Sequence, residues 1–302
     1  MPPVDTNARV ISNVRLSEDY NVLTLDAPDV GARTEPGQFV MVKPEGYGES
    51  LLRRPFSVFE ILRDGSQPTA ISIFNKRAGR NTRRLYALEA GQRVACLGPL
   101  GTSFTAPAGG DAWMVAGGVG LAPFATLAET LAARGIPATL FYGARTGGEL
   151  FYLDFFERLG VRLVLATEDG TRGVKARVTG PLEQSLAQLS SPDRATVYAC
   201  GPEPMLAAVT KLSARYRQPS QVSVERVMGC GLGGCYSCVI PVRHGAHAHL
   251  VRSCIGGPVF AGANLAWDLS AEALPPSLAT EFCASFGEPR RSASRGGGAE
   301  AK

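Results

Sequence analysis

Apolar and polar positions alternate with a period of two through 8–105, in short runs broken by turn residues: ARVISNVRL, NVLTLDAP, QFVMVKP, PFSVFEIL, TAISIFNKR and RVACLGPL. Such a period sends successive side chains to opposite faces, and many short strands with turn punctuation predict a small antiparallel barrel. One helix-like interlude, NTRRLYALEA (81–90), interrupts the set. The pattern changes near Asp111. WMVAGG is an apolar strand running into glycine, and the helical period of LAPFATLAETLAARG follows it. Next come TLFYGAR, LFYLDFFERLG, RLVLATEDG, TVYACGP, EPMLAAVTKLSARY and QVSVERV. Alternating strand and helix predict an α/β unit on a parallel sheet, joined to the barrel by the turn-rich TAPAGGD, 105–111. From about Gly229 the regular patterns stop. CGLGGCYSC is too rich in glycine and cysteine for a packed helix or strand, and VIPVRHGAHAHLVRSC reads as a hairpin turning at His244–Gly245. The tail, ASFGEPRRSASRGGGAEAK, is polar and glycine-rich, and disorder is expected there. The expected layout is multi-domain: a barrel over 1–106, an α/β domain over 107–222, a small cysteine-bearing domain over 223–266 and an extension over 267–302.

Composition narrows the class. The 302 residues suit two or three domains, and a net charge of +4 (31 basic against 27 acidic residues) is small. A balanced body gives no case for a nucleic-acid partner. The opening MPPVDTNARV lacks a basic-then-apolar export pattern, and no apolar run reaches the roughly eighteen residues a membrane span needs. No membrane and a cytoplasmic location are therefore expected. In that setting a local group of cysteines reads as a metal or iron–sulfur site rather than a disulfide framework.

Four of the seven cysteines supply that group, spaced Cys230-x4-Cys235-x2-Cys238, then fifteen residues, then Cys254. This is the plant-type spacing for a [2Fe-2S] cluster, in which a tight loop must bring four thiolates to two irons. Gly231, Gly233 and Gly234 allow the backbone to close round such a group. A zinc site or free thiols remain alternatives, although structural zinc usually brings two C-x2-C pairs. His244, His247 and His249 lie between the third and fourth cysteine, yet a Rieske centre would need histidines in place of two cysteines. They read as solvated hairpin residues, and Cys96 and Cys283 as ordinary thiols.

Three further segments suggest nucleotides. Gly117-Gly118-Val119-Gly120-Leu121-Ala122-Pro123 follows a strand and opens a helix, whose free N–H groups suit a pyrophosphate. Cys200-Gly201-Pro202 ends another strand, where ligands of open α/β sheets bind. Arg53-Arg54-Pro55-Phe56-Ser57 sits on a barrel strand. Its arginines suit phosphate and its hydroxyl suits a flavin edge, though composition alone leaves it a basic strand.

In this order the pieces resemble the ferredoxin-NADP reductase superfamily, with its R-x-[FY]-S barrel, its G-G-x-G-x-A-P turn and its late C-G-P. With the C-x4-C-x2-C…C segment added, the chain is similar to the electron-transfer subunits of the type B, NAD-linked dihydroorotate dehydrogenases. The likeness covers about 8–265 and is sharpest in ERVMGCGLGGCYSC (225–238) and SCIGGPVF (253–260), with Tyr236 between the second and third cysteine. It implies an FAD site at Arg54, Pro55, Phe56 and Ser57, with Arg54 on the pyrophosphate and Ser57 near the flavin N5. Phe74, Asn75 and Lys76 would line the flavin, and Gly79-Arg80-Asn81-Thr82 would be the phosphate turn, with Asn81 where the family has a second glycine. Gly117, Gly118, Gly120, Pro123, Cys200, Gly201 and Pro202 would shape the NAD site. Cys230, Cys235, Cys238 and Cys254 would ligate the [2Fe-2S] cluster. No acid–base residue is expected on this chain. The likeness further implies a catalytic, FMN-bearing partner subunit, a heterotetramer of two of each, and a place in pyrimidine synthesis. The flavin subunit of a hydrogenase, a sulfite reductase or a ferredoxin:NADP oxidoreductase would carry the same relay. Arg145, after the second strand of the nucleotide domain, stands where a 2′-phosphate could bind, which leaves NAD against NADP open.

Overall fold

A computed structural model of the chain describes residues 2–46, 51–189, 195–245 and 247–269. The expected disorder of the tail and the reading of Cys283 lie outside them. Six strands close an antiparallel barrel in the order β1-β2-β5-β4-β3-β6: β1 (Val4–Arg15), β2 (Tyr20–Asp26), β3 (Phe39–Pro44), β4 (Arg54–Asp64), β5 (Gln67–Lys76) and β6 (Arg93–Leu100). Closure leaves no free edge. The inward residues of the period-two pattern, among them Val10, Leu23, Val40, Val58, Ile71 and Val94, form its core. A one-turn helix, α1 (Pro28–Gly31), covers one end, and α2 (Arg80–Ala87) is the helical interlude.

The second half is a seven-stranded sheet in the order β10-β9-β8-β7-β11-β12-β15. Its strands are β7 (Asp111–Gly117), β8 (Ala138–Ala144), β9 (Arg162–Thr167), β10 (Val174–Lys175), β11 (Ala195–Cys200), β12 (Ser220–Ser223) and β15 (Val259–Ala261). All neighbours are parallel except β12 and β15. The helices α3 (Phe124–Ala133), α4 (Leu153–Arg158), α5 (Thr179–Ala187) and α6 (Glu203–Arg215) supply the crossovers. The sheet is buried on both faces. Phe124, Leu127 and Tyr142 fill one side, and Val197, Leu206 and Val222 the other. That double burial explains why these strands read as continuous apolar runs rather than as alternation.

Past Val224 the chain forms the cysteine loop, then the expected hairpin of β13 (Val239–His244) and β14 (His247–Arg252), and then the one-turn α7 (Ser253–Gly256). The last part is not free-standing. Its β15 pairs Val259 with Ser223, and Ile240, Val242 and Leu265 join the sheet's own core.

Candidate functional site

The strand order places the site. From β7 the sheet runs to β8 and β9 on one side and to β11 and β12 on the other, so the chain reverses direction between β7 and β11. In open α/β sheets, ligands lie outside the carboxyl ends of the strands at that switch point. Gly117–Gly120 and Cys200–Pro202 occupy the two ends. They meet closely: a Cβ added at Gly120 would lie 2.1 Å from the Cys200 carbonyl oxygen, so only glycine lets the turns touch. Gly118 has φ of +54°, a left-handed conformation that favours glycine, and a Cβ there would meet nothing within 4 Å. The space before it opens into the cleft. Pro123 stands behind, at the start of α3, and is not part of the cleft wall. The Cys200 thiol is pushed up to about 12 by burial, against a hydrogen bond with Ser223, so it stays neutral at ordinary pH.

This cleft continues without a break onto the barrel, with a volume of about 1470 Å³. A single small-molecule site usually takes roughly 300–1,000 Å³, so there is room here for two nucleotides end to end. Arg54, Pro55, Phe56, Ser57, Phe74 and Lys76 form the barrel wall, and Gly79, Arg80, Asn81 and Thr82 form its far corner. The start of β4 separates the two arginines. Arg53 turns away to Asp5, with Nη2 2.6 Å from Oδ1, while Arg54 faces the cleft. The Thr82 hydroxyl accepts from the N–H groups of Ala78 and Gly79 at 2.9 and 2.8 Å, which shapes the turn that opens α2. Neither crowding nor backbone explains the glycine at position 79: φ is −131°, and a Cβ would meet nothing within 4 Å. What remains is the open space in front of a helix N-terminus with no acidic residue in its first turn, beside two arginines. That arrangement fits a diphosphate.

Asn75 is fully buried and does not reach the cleft wall. Its amide donates to Asn21 Oδ1 at 2.7 Å and to the Thr82 carbonyl at 3.0 Å. Asn21 in turn donates to Asn13 at 2.7 Å, and Asn13 donates to the carbonyls of Leu85, Tyr86 and Leu88. Three amides thus tie both ends of α2 to the barrel and hold the turn that opens it from behind.

The four cysteines of the loop fall into two pairs. Cys235 lies within hydrogen-bonding reach of Cys230, and Cys254 of Cys238. Among the described residues no three His, Cys, Asp or Glu side chains converge as a single-ion site. Two thiols on each side suit a binuclear centre with two thiolates per iron better than one tetrahedral ion. The surroundings favour thiolates on the outer side. The Ser237 hydroxyl, 3.1 Å from Cys235 Sγ, and then the Ser237 N–H hold the Cys235 thiol down to about 6. The Leu232 N–H donates to Cys230 Sγ at 3.3 Å. Burial first, then the neighbouring Cys238, pushes Cys254 up to about 12. A metal would replace that proton. The inner pair packs against β3 and β6: Cys238 and Cys254 share a small core with Phe39, Met41, Leu97, Leu100 and Met228. Gly231, at φ +72°, closes the loop on that core, where a Cβ would come within 2.6 Å of Met41 Cγ. Phe39 and Met228 also line the nucleotide cleft, and Phe39 pairs across the strands with Ser57. Two side chains therefore touch the sulfur core on one side and the barrel wall of the cleft on the other.

Several cleft residues carried no readable signal. Tyr20 lies under Lys76, with Nζ 5.0 Å from its ring centre, and Glu149, Thr179, Glu225 and Arg226 line the nucleotide half. They come from four separate segments, and only the topology gathers them.

Comparison with known proteins agrees with this geometry. Residues 225–266 match the iron–sulfur cluster binding domain of dihydroorotate dehydrogenase B, and residues 114–211 match the oxidoreductase NAD-binding domain. A dihydroorotate dehydrogenase B (NAD(+)) electron transfer subunit of Geobacillus thermodenitrificans is 39% identical over 255 residues, 83% of this chain and 94% of that one. Another from Desulforamulus reducens is 32% identical, over 87% of this chain and 98% of its own. Among solved structures, a chain of the NADH-dependent reduced ferredoxin-NADP oxidoreductase superposes with a TM-score of 0.75 at 25% identity, covering 92% of this chain and 98% of that one. The Neisseria gonorrhoeae ferredoxin NADP+ reductase shares the fold at a TM-score of 0.59 and 20% identity, over 70% of this chain and 91% of that one. Against the hydrogenase, sulfite reductase and zinc alternatives, these relatives decide for the first reading: the chain belongs to the family of electron-transfer subunits of dihydroorotate dehydrogenase B.

Proposed function

We propose that this chain takes electrons from the FMN-bearing catalytic subunit of a dihydroorotate dehydrogenase and delivers them as hydride to NAD+, with a [2Fe-2S] cluster and FAD bound between. Dihydroorotate gives up two electrons and two protons to become orotate, and NAD+ takes two electrons and one proton. When bound, the cluster would supply one-electron transfer and the FAD would gather two single electrons into one hydride. The chain itself positions. Arg54 and the N-terminus of α2 would hold the FAD pyrophosphate, with Ser57 near the flavin N5. Phe74 and Lys76 would flank the ring, and the Gly118 and Gly201 turns would hold the dinucleotide. Cys230 and Cys235 would hold one iron, Cys238 and Cys254 the other. The observation that carries this reading is the shared wall: Phe39 and Met228, both almost wholly buried, belong to the sulfur core and to the cleft lining at once.

The outer face of the cysteine loop supports a docked partner. Val227, Leu232, Tyr236 and Ile255 are large apolar residues left exposed around it, Val227 at 82%. Grouped exposed apolar side chains mark interaction surfaces. The catalytic subunit would cover this face, in a heterotetramer of two of each, in the cytoplasm. Among the described residues no helix is long and apolar enough to cross a membrane.

Iron, sulfide and flavin analysis of the chain co-purified with its catalytic subunit tests the proposal. Two irons and one FAD per chain, NADH-to-dye activity from this subunit alone and dihydroorotate oxidation only from the pair are expected. A colourless chain, or one that oxidises dihydroorotate unaided, would sink it.

A further inference from the structure

Ser253 is wholly buried, and its hydroxyl has no hydrogen-bond partner among the described residues. Buried hydroxyls are nearly always partnered, so this one calls for an acceptor that the polypeptide does not supply. Its place in the fold is between two of the four cysteines. It directly precedes Cys254, and its N–H donates to the Cys238 carbonyl at 3.0 Å. That bond continues the antiparallel register of β13 and β14, in which Val239 faces Arg252. One step further along, Cys238 faces Ser253. Residues directly opposite in such a ladder project from the same face, with Cβ atoms about 5 Å apart. Arg252 projects from the other face. Its Nη1 donates to the Gly233 carbonyl at 2.7 Å, and its guanidinium carbon lies 4.8 Å from the Tyr236 ring centre. Ser253 therefore turns inward beside Cys238, which is 1% exposed, as is Cys254.

The outer pair of cysteines shows what a hydroxyl does in this loop. Ser237 Oγ accepts from the Gly229 N–H at 3.0 Å, which leaves its own proton for Cys235 Sγ, 3.1 Å away. On the inner pair the neighbouring hydroxyl is that of Ser253, and it is unengaged. A [2Fe-2S] cluster held by the quartet would bring sulfur acceptors to this buried side. We infer that Ser253 tunes the reduction potential of that cluster, by donating its hydroxyl proton to a cluster sulfur. The reduced cluster carries one more negative charge than the oxidised one. The bond is therefore stronger after reduction, and the potential rises. Burial keeps water from competing for the same sulfur. Ser253 neither ligates iron nor moves a proton during turnover. The inference rests on the reading of the quartet as a [2Fe-2S] site.

Redox titration of the chain co-purified with its catalytic subunit, followed by the EPR signal of the reduced cluster, tests it. Ser253→Ala should lower the equilibrium constant for reduction about tenfold, a fall of about 59 mV for one electron. Ser253→Thr keeps the hydroxyl and should titrate close to the wild type. After exchange into deuterated water, pulsed EPR of the wild type should show a deuteron coupled to the cluster that is missing from Ser253→Ala. An unchanged potential, or an unchanged set of deuteron couplings, in Ser253→Ala overturns the inference while the cluster stands. Loss of iron from Ser253→Ala would make the residue structural and overturns it as well. A wild type without the reduced-cluster signal removes the inference and the cluster together.

Discussion

The nucleotide cleft and the cysteine loop are built on opposite plans. The cleft collects residues from Tyr20 to Pro258 at the ends of two separate sheets, and its precision comes from the frameworks behind it. The loop takes three of its four ligands from nine consecutive residues, and one side of it rests on strands that already exist. The contrast teaches where each can fail. Damage to the loop should be local and chemical, whereas damage to the cleft should be transmitted through backbone contacts.

The most severe test of that contrast is Cys235→Ser. It should remove the iron and its visible absorbance entirely while FAD content and NADH-to-dye turnover stay largely intact, read by metal analysis and a dye assay. Loss of dye turnover with FAD retained would show that the two sites are not separable in this order. Gly120→Ala attacks the other side. A methyl 2.1 Å from the Cys200 carbonyl must push the two turns apart, and misplacement on the order of 1 Å costs about a hundredfold. The ratio kcat/KM for NADH should fall by that order with cluster absorbance unchanged. Asn75→Ala sharpens the point by cutting the support rather than the surface. It strips the Thr82 carbonyl and Asn21 of a buried donor, so chemical denaturation should show a loss of about 1–3 kcal/mol together with weaker FAD retention. The smallest stability effect belongs to Ile255→Asp on the exposed rim of the loop. Denaturation should move by under about 0.5 kcal/mol, yet co-purification with the catalytic subunit should weaken.

The difference also explains what could be read from the chain alone. The cysteine quartet was visible because ligands on one loop leave their spacing in the sequence. The barrel was visible because one-sided burial imposes alternation on β1, and the parallel sheet because two-sided burial makes β7, β8 and β11 almost uniformly apolar. The glycine turns were legible as motifs, but their contact with each other was not, since 80 residues separate Gly120 from Cys200. Arg54 could be told from Arg53 only once the strand's facing was known. The amide chain through Asn13, Asn21 and Asn75 left no pattern at all, because each member is a single polar residue in an otherwise ordinary strand. Strand β15 was missed for a related reason: three residues after Gly257-Pro258 are too few to carry a period.

That short strand guards the nucleotide sheet against self-association. By laying Val259–Ala261 along β12 it caps the open border of the nucleotide sheet, whose backbone amides would otherwise invite another chain to add itself. A chain cut short ahead of Val259 would leave that border bare, and clumping of such preparations would begin there rather than at the barrel.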